Sequence, residues 1–163
     1  MKNEKGFSLI ELLIVVAIIG IIAAIAIPNL LKSRQAANEA SAIGSVRTLG
    51  TAQATYQSTR GKGKDFAANM AALLADNAID SALGSGAKSG FTFACTGTAA
   101  AAGVPSWFDT TAVPQSTGNF GTGNRSFYSN ETYVVYQLDG GVAPGGTAAP
   151  PGARVPTTGT PIE

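Results

Sequence analysis

From Phe7 to Leu31 the chain carries a single charge, Glu11, and Leu12 to Ile27 is wholly uncharged. About 20 apolar residues cross a bilayer as a helix, so this run is long enough to span. A carboxylate carried to the centre of such a span costs roughly 3 kcal/mol on insertion scales. Glu11 therefore calls for a function and a partner. Lys2 and Lys5 precede the run, which predicts a cytoplasmic amino terminus with the body of the chain outside. Lys32 and Arg34 follow the run, and the very short basic terminus opposes their pull.

Two plainer readings compete. A secretory signal peptide would explain Ala24-Ile25-Ala26 as a small-residue cleavage site, but its apolar region is shorter and holds no glutamate. An ordinary single-pass anchor explains the length and leaves Glu11 without a reason.

Helical character continues past Pro28. Ala36, Ala40, Ile43, Val46, Leu49, Gln53 and Tyr56 step by three or four, which marks one face of an amphipathic helix. Ser33, Arg34, Gln35, Glu39, Ser41, Arg47, Thr48 and Thr55 fall on the other face. Pro28 lacks a donor and crowds the preceding turn, so it kinks or interrupts the helix. Gly20 weakens helix by about 1 kcal/mol relative to alanine, so Gly20 and Pro28 bracket a segment able to soften. A helix from Phe7 to Thr59 would be ~75–80 Å long, too long for a chain of this size to bury.

Arg60-Gly61-Lys62-Gly63-Lys64 reads as a helix stop and a loop, its cations a weak candidate for anionic contacts. Asp65 is expected to cap a short helix through Leu74, with Phe66, Met70 and Leu73 on one side, and Ile79 to Leu83 to add a turn. After Gly90 the period becomes alternating. Phe91–Cys95, Trp107–Val113, Arg125–Tyr128 and Thr132–Tyr136 are the strand candidates, the last two joined through Ser129-Asn130-Glu131. The expectation is an α+β fold: a long helix packed by its carboxyl-terminal half on three or four antiparallel strands. The expected segments are 1–6 as a leader, 7–31 as the membrane half, 32–60 as the amphipathic half, 61–138 as a globular head, and 139–163 as a flexible Gly/Pro/Thr-rich tail.

The chain has no histidine and one cysteine, Cys95. An intramolecular disulfide, a Cys/His zinc site and a histidine-based triad are excluded. Cys95, in an alternating run, is expected to be a small buried hydrophobe. The net charge of +1 gives no reason to expect nucleic acid. Without residues 1–6 the two signs balance, which suits dense self-packing. No nucleophile, base and oxyanion donors assemble in the sequence, so no enzyme, cofactor or metal site is expected.

The stretch Gly6-Phe7-Ser8-Leu9-Ile10-Glu11, continued by the apolar run to Pro28, resembles the amino terminus of the type IV pilin family, pseudopilins included. The likeness rests on a short basic leader ending in glycine, an aromatic next, glutamate five residues after that glycine, and the apolar helix; it covers about residues 1–35. Gly20 and Pro28 fall where these pilins place helix-breaking residues. The resemblance implies cleavage between Gly6 and Phe7 by a membrane prepilin peptidase, which would also methylate the Phe7 amine. It implies that Glu11 meets the Phe7 amine of a neighbouring subunit, that an inner-membrane platform assembles the filament, and that lipid surrounds the helix before assembly. The precursor would sit in the bacterial inner membrane, and the product would be an extracellular pilus or a periplasmic pseudopilus.

Departures from the family are informative. Many pilins close a carboxyl-terminal loop with a disulfide, which this chain cannot form. Major pseudopilins often hold calcium near that end, where Asp139 here stands almost alone, so no such site is expected. The missing calcium-type acidic cluster and the Gly/Ser/Thr-rich head favour a pilus subunit over a secretion pseudopilin or a DNA-uptake or minor priming subunit. A membrane-anchored periplasmic binding module that never polymerises is the alternative of another class. Asn124-Arg125-Ser126 and Asn130-Glu131-Thr132 match glycosylation acceptors, though asparagine in turns explains both.

Overall fold

In the computed structural model the described residues are 7–101, 103–142, 154, 156 and 158–162; the leader at 1–6 lies outside them. A helix of 51 residues, α1 (Leu9–Thr59), leads into two short helices, α2 (Met70–Ala75) and α3 (Ser81–Gly84). Six strands follow: β1 (Ala87–Lys88), β2 (Phe91–Thr98), β3 (Trp107–Pro114), β4 (Arg125–Asn130), β5 (Val135–Asp139) and β6 (Thr160–Pro161). They pair antiparallel in chain order as one meander. The expected α+β class stands, with four full strands and a two-residue strand at each edge.

Several boundaries differ from expectation for local reasons. Pro28 lies inside α1, which continues through it. Asn69, not Asp65, caps α2 by accepting the Ala72 N–H at 3.0 Å, while Asp65 accepts from Ala100 N at 2.8 Å. Asp80 caps α3 through Leu83 N, and this bond and Lys88 hold its carboxyl below the usual aspartate value. The strand expected from Thr132 is β5 and starts at Val135, because Tyr133 sits at φ 59°, in the left-handed region where a strand cannot run.

The carboxyl-terminal half of α1 buries one face against the sheet. Its apolar stripe is Ala42, Val46, Leu49 and Ala52, and it meets Phe91, Phe93 and Cys95 of β2, Ala112 of β3, Phe127 of β4 and Val135 of β5. Burying a side chain such as Val46 or Leu49 contributes roughly 1.5–3 kcal/mol. The stripe is rotated from the expected one: Ala36 and Ala40 are exposed, while Gln35 and Glu39, expected on the polar face, are buried. Polar partners on the sheet side account for that rotation. Gly97 lets β2 approach residue 67 closely, since a Cβ there would stand 2.2 Å from the Ala67 carbonyl oxygen.

Strand β4 is buried on both faces. Phe127 faces α1, whereas the Tyr128 and Asn130 side is covered by Arg154. Of the segment 139–163 expected as a flexible tail, residues 143–153 lie outside the described residues; Arg154 packs on β4, Thr160–Pro161 form β6 and Ile162 lies against the core.

Candidate functional site: the exposed helix and the clamp that carries the head

The amino-terminal half of α1 is apolar and without partners among the described residues. Phe7 is 87% exposed, and Leu9, Ile10, Leu12, Leu13, Val16, Ile21, Ile22 and Ile25 are all exposed. This helix is long and apolar enough to cross a membrane. An exposed apolar surface this extensive is the kind that a membrane or another protein covers.

Glu11 is exposed on this helix, and its carboxylate accepts a hydrogen bond from Ser8 N at 2.9 Å. Ser8 is the N-cap, so Glu11 occupies the third helical position and closes one half of a capping box. The carboxylate therefore has a local role in the single subunit, satisfying a backbone donor at the helix start. Its second oxygen has no hydrogen bond to a described residue in this chain. Phe7 lies immediately before the cap, and Gly6 lies outside the described residues. Gly20 is surrounded by open space, and Pro28 sits near the end of the exposed segment.

Three polar residues of α1 fasten the head to this helix. Glu39 Oε1 accepts from the backbone amides of Asn124 (2.8 Å) and Arg125 (3.2 Å), and its Oε2 receives Arg125 Nη2 at 2.6 Å. Gln35 Nε2 donates to the carbonyls of Gly118 (2.6 Å) and Gly121 (3.0 Å), and Asn38 donates to Thr122 (3.0 Å). Deeper, Gln53 bonds both backbone groups of Ala67, accepting from N at 2.8 Å and donating to O at 3.0 Å. Its amide also donates to Cys95 Sγ at 3.0 Å. Burial pushes the Cys95 thiol up to about 11, against the opposing Gln53 bond.

Beyond the sheet, the Arg154 guanidinium stacks on Trp107 at 4.1 Å and pairs with Asp109 and with Glu131 at 2.8 Å. Tyr128 donates its hydroxyl to Asp109, and burial followed by that carboxylate raises its pKa. Asn130 is buried and donates to the Arg154 carbonyl at 2.6 Å, while Asn124 Oδ1 accepts Gly118 N at 3.0 Å. Both asparagines thus serve the chain's own turns. Lys62 and Lys64 lie in the loop after α1. Among the described residues no cluster of three or more His, Cys, Asp or Glu side chains could hold a metal.

The structure does not bring Phe7 and Glu11 together through side chains within one subunit. Sequence reading placed Gln53 on the buried face without a role, put Glu39 on the polar face, and missed Arg154. The positions 35, 39 and 42 also step at helical spacing into Val46, Leu49 and Gln53, but spacing alone does not turn a glutamine and a glutamate inward.

Comparison with known proteins agrees with this geometry. Residues 1–27 match the family described as the prokaryotic N-terminal methylation motif. The chain is 49% identical over 65 residues to the type IV major pilin protein PilA of Myxococcus xanthus, covering 40% of this chain and 30% of that one. It is 45% identical over 74 residues to the type IV wide pilus major component PilA4 of Thermus thermophilus, covering 45% of this chain and 54% of that one. Type II secretion system core protein G of Vibrio cholerae is 35% identical over 57 residues, 35% of this chain and 39% of that one. The chain spans at most about half the length of these relatives. No solved structure matches it.

Proposed function

We propose that this chain, whose amino terminus is that of the type IV pilin family, is a structural subunit of a type IV pilus and not an enzyme. The observation that carries the proposal is the exposed apolar half of α1 with Glu11 at its start, on a helix too long to be covered by its own head. Cleavage between Gly6 and Phe7, with methylation of the new amine by the same peptidase, leaves a positive charge four residues before Glu11. On a neighbouring copy that amine is the partner Glu11 requires, since pairing offsets part of the desolvation each charge suffers alone. Apolar helices then leave the bilayer and bury their surfaces in a central bundle, with heads outside. At ~25 cal/mol per Å², burial of the exposed face amply favours assembly. The inner-membrane platform is the partner that performs the transfer, and adhesion or motility is the class of service the filament gives.

The clamp of Gln35, Asn38 and Glu39 supports the division of labour. It begins one turn beyond Leu31, so residues 7–31 stay clear for lipid and for other subunits. Segments 1–6, 7–31, 32–60 and 61–138 are accordingly leader, polymerising half, head-bearing half and head.

The likeness to a type II secretion core protein keeps a pseudopilin as the second reading. One experiment separates these from an anchored module that does not polymerise. Glu11→Ala is expected to abolish surface filaments while the precursor stays in the membrane. Intact filaments containing the variant would sink the polymer reading. Peptide identification in sheared pili, against periplasmic retention, decides between pilus and secretion machine.

A further inference from the structure

The most exposed large apolar side chain of the head is Phe120, at 82%. It stands at the tip of the β3–β4 connection, residues 115–124. That connection is held by its own bonds: Thr122 N donates to Ser116 O at 2.8 Å, and Gly121 N to Gly118 O at 3.0 Å. A Cβ at Gly121 would stand 2.5 Å from the Ser116 carbonyl oxygen, so the tip closes only around glycine. Gln35, Asn38 and Glu39 then fix this closed loop to α1. An aromatic ring is thus carried into solvent by a loop whose backbone is pinned on both sides.

Its level along α1 is informative. Phe120, Leu31, Arg34, Asn38, Ser89 and Gly90 line one shallow groove, which sets the ring beside the end of the apolar run. Counting ~20 residues for the hydrocarbon thickness from Glu11 places the outer boundary at Leu31. Phe120 then lies at headgroup depth. Lys32 and Arg34 are exposed at the same level, and no acidic side chain lines the groove. The one buried carboxylate nearby, Glu39, is taken by Arg125. A phenyl ring beside exposed cations at this depth is the pattern of an interfacial anchor, the apolar ring buried just below the headgroups and the cations kept among the phosphates.

We infer that Phe120, with Lys32 and Arg34, seats the base of the head on the outer surface of the bilayer that holds the precursor, the ring among the first acyl-chain methylenes beneath the headgroups and the cations on lipid phosphates. This rests on the membrane-anchored reading above. Seating fixes the head's tilt and height before assembly, and the contact is given up when the subunit leaves the bilayer.

The test uses the full chain in phosphatidylethanolamine/phosphatidylglycerol vesicles, with F120W compared with the unsubstituted protein. The native Trp107 is a built-in reference, because it opens β3 while the loop leaves the other end of that strand, ~23 Å away. Bromines placed on the acyl chains near the headgroup are expected to quench the emission added by F120W about twofold, and bromines near the chain ends less. Trp107 emission is expected to stay unchanged. K32Q/R34Q is expected to weaken the quenching in phosphatidylglycerol-rich vesicles. Added emission that no bromolipid quenches, in protein that resists carbonate extraction, overturns the inference and leaves the anchored reading intact. Added emission that shifts blue only as protein density rises overturns it in favour of a second copy as the occupant. Protein released by carbonate fails the anchored reading itself.

Discussion

Glu39 of α1 and Arg125 at the start of β4 form a two-point pair, Oε2 to Nη2 at 2.6 Å and to Nε at 2.8 Å, while the other carboxylate oxygen takes two backbone amides. One side chain thus joins the helix to the strand and to the loop before it. Arg125 is 39% exposed, so solvent screens the Coulomb part, and the backbone amides carry the larger share. Glu39→Leu is expected to lower stability by about 2–3 kcal/mol, and Glu39→Gln by about half as much. Urea unfolding in detergent measures both.

Gln53 is fully buried and satisfies both backbone groups of Ala67. Gln53→Leu keeps the volume but leaves a buried N–H and C=O without partners. A loss of about 2–3 kcal/mol is expected, larger than for Ala52→Gly on the same helix at about 1 kcal/mol. Equal losses would mean that packing, not hydrogen bonding, holds residues 66–68.

The Cys95 thiol, pushed up to about 11 by burial, binds its proton more tightly folded than unfolded. Stability from this group is therefore full below the unfolded thiol value and falls as pH rises toward 11, by at most ~1.4 kcal/mol per pH unit. Cys95→Ala is expected to flatten that alkaline limb. Alkylation by iodoacetamide at pH 8 should be slow in the native protein and rapid in denaturant.

Arg154, with 1% of its side chain exposed, sits between Asp109, Glu131 and the Trp107 ring. Arg154→Ala leaves two carboxylates facing an emptied pocket, and about 3 kcal/mol of destabilisation is expected. Arg154→Lys should rescue little, because an ammonium cannot stack and fork together. Limited proteolysis should cut after Asp139 in both variants while residues 9–138 persist.

Pro28 cannot donate to the Ala24 carbonyl, although α1 runs on through it. Pro28→Ala restores that bond, and hydrogen exchange at residues 24–31 is expected to slow about tenfold or more in detergent. If Gly20–Pro28 loosens on assembly, filaments of this variant should be shorter or fewer.

The apolar run, its glutamate, the long helix and the change to alternating strands after Gly90 are all legible in the linear order of residues. Each follows from local composition and period, which need no partner to be read. Cys95 was expected in the core for the same reason, and it lies there. The rotation of the buried stripe to Gln35 and Glu39 was not legible, because those polar side chains go inward only where residues 118–125 supply matching donors and acceptors. The docking of Arg154 escaped for a like cause: a Gly/Pro/Thr-rich composition predicts little burial, yet one arginine meets two acids and an indole brought together by β3 and the turn after β4. Short-range pattern settles which segments are helix, strand and long apolar run. Which polar residues become fasteners is decided by long-range pairing, where desolvation is offset only once the whole sheet is in register.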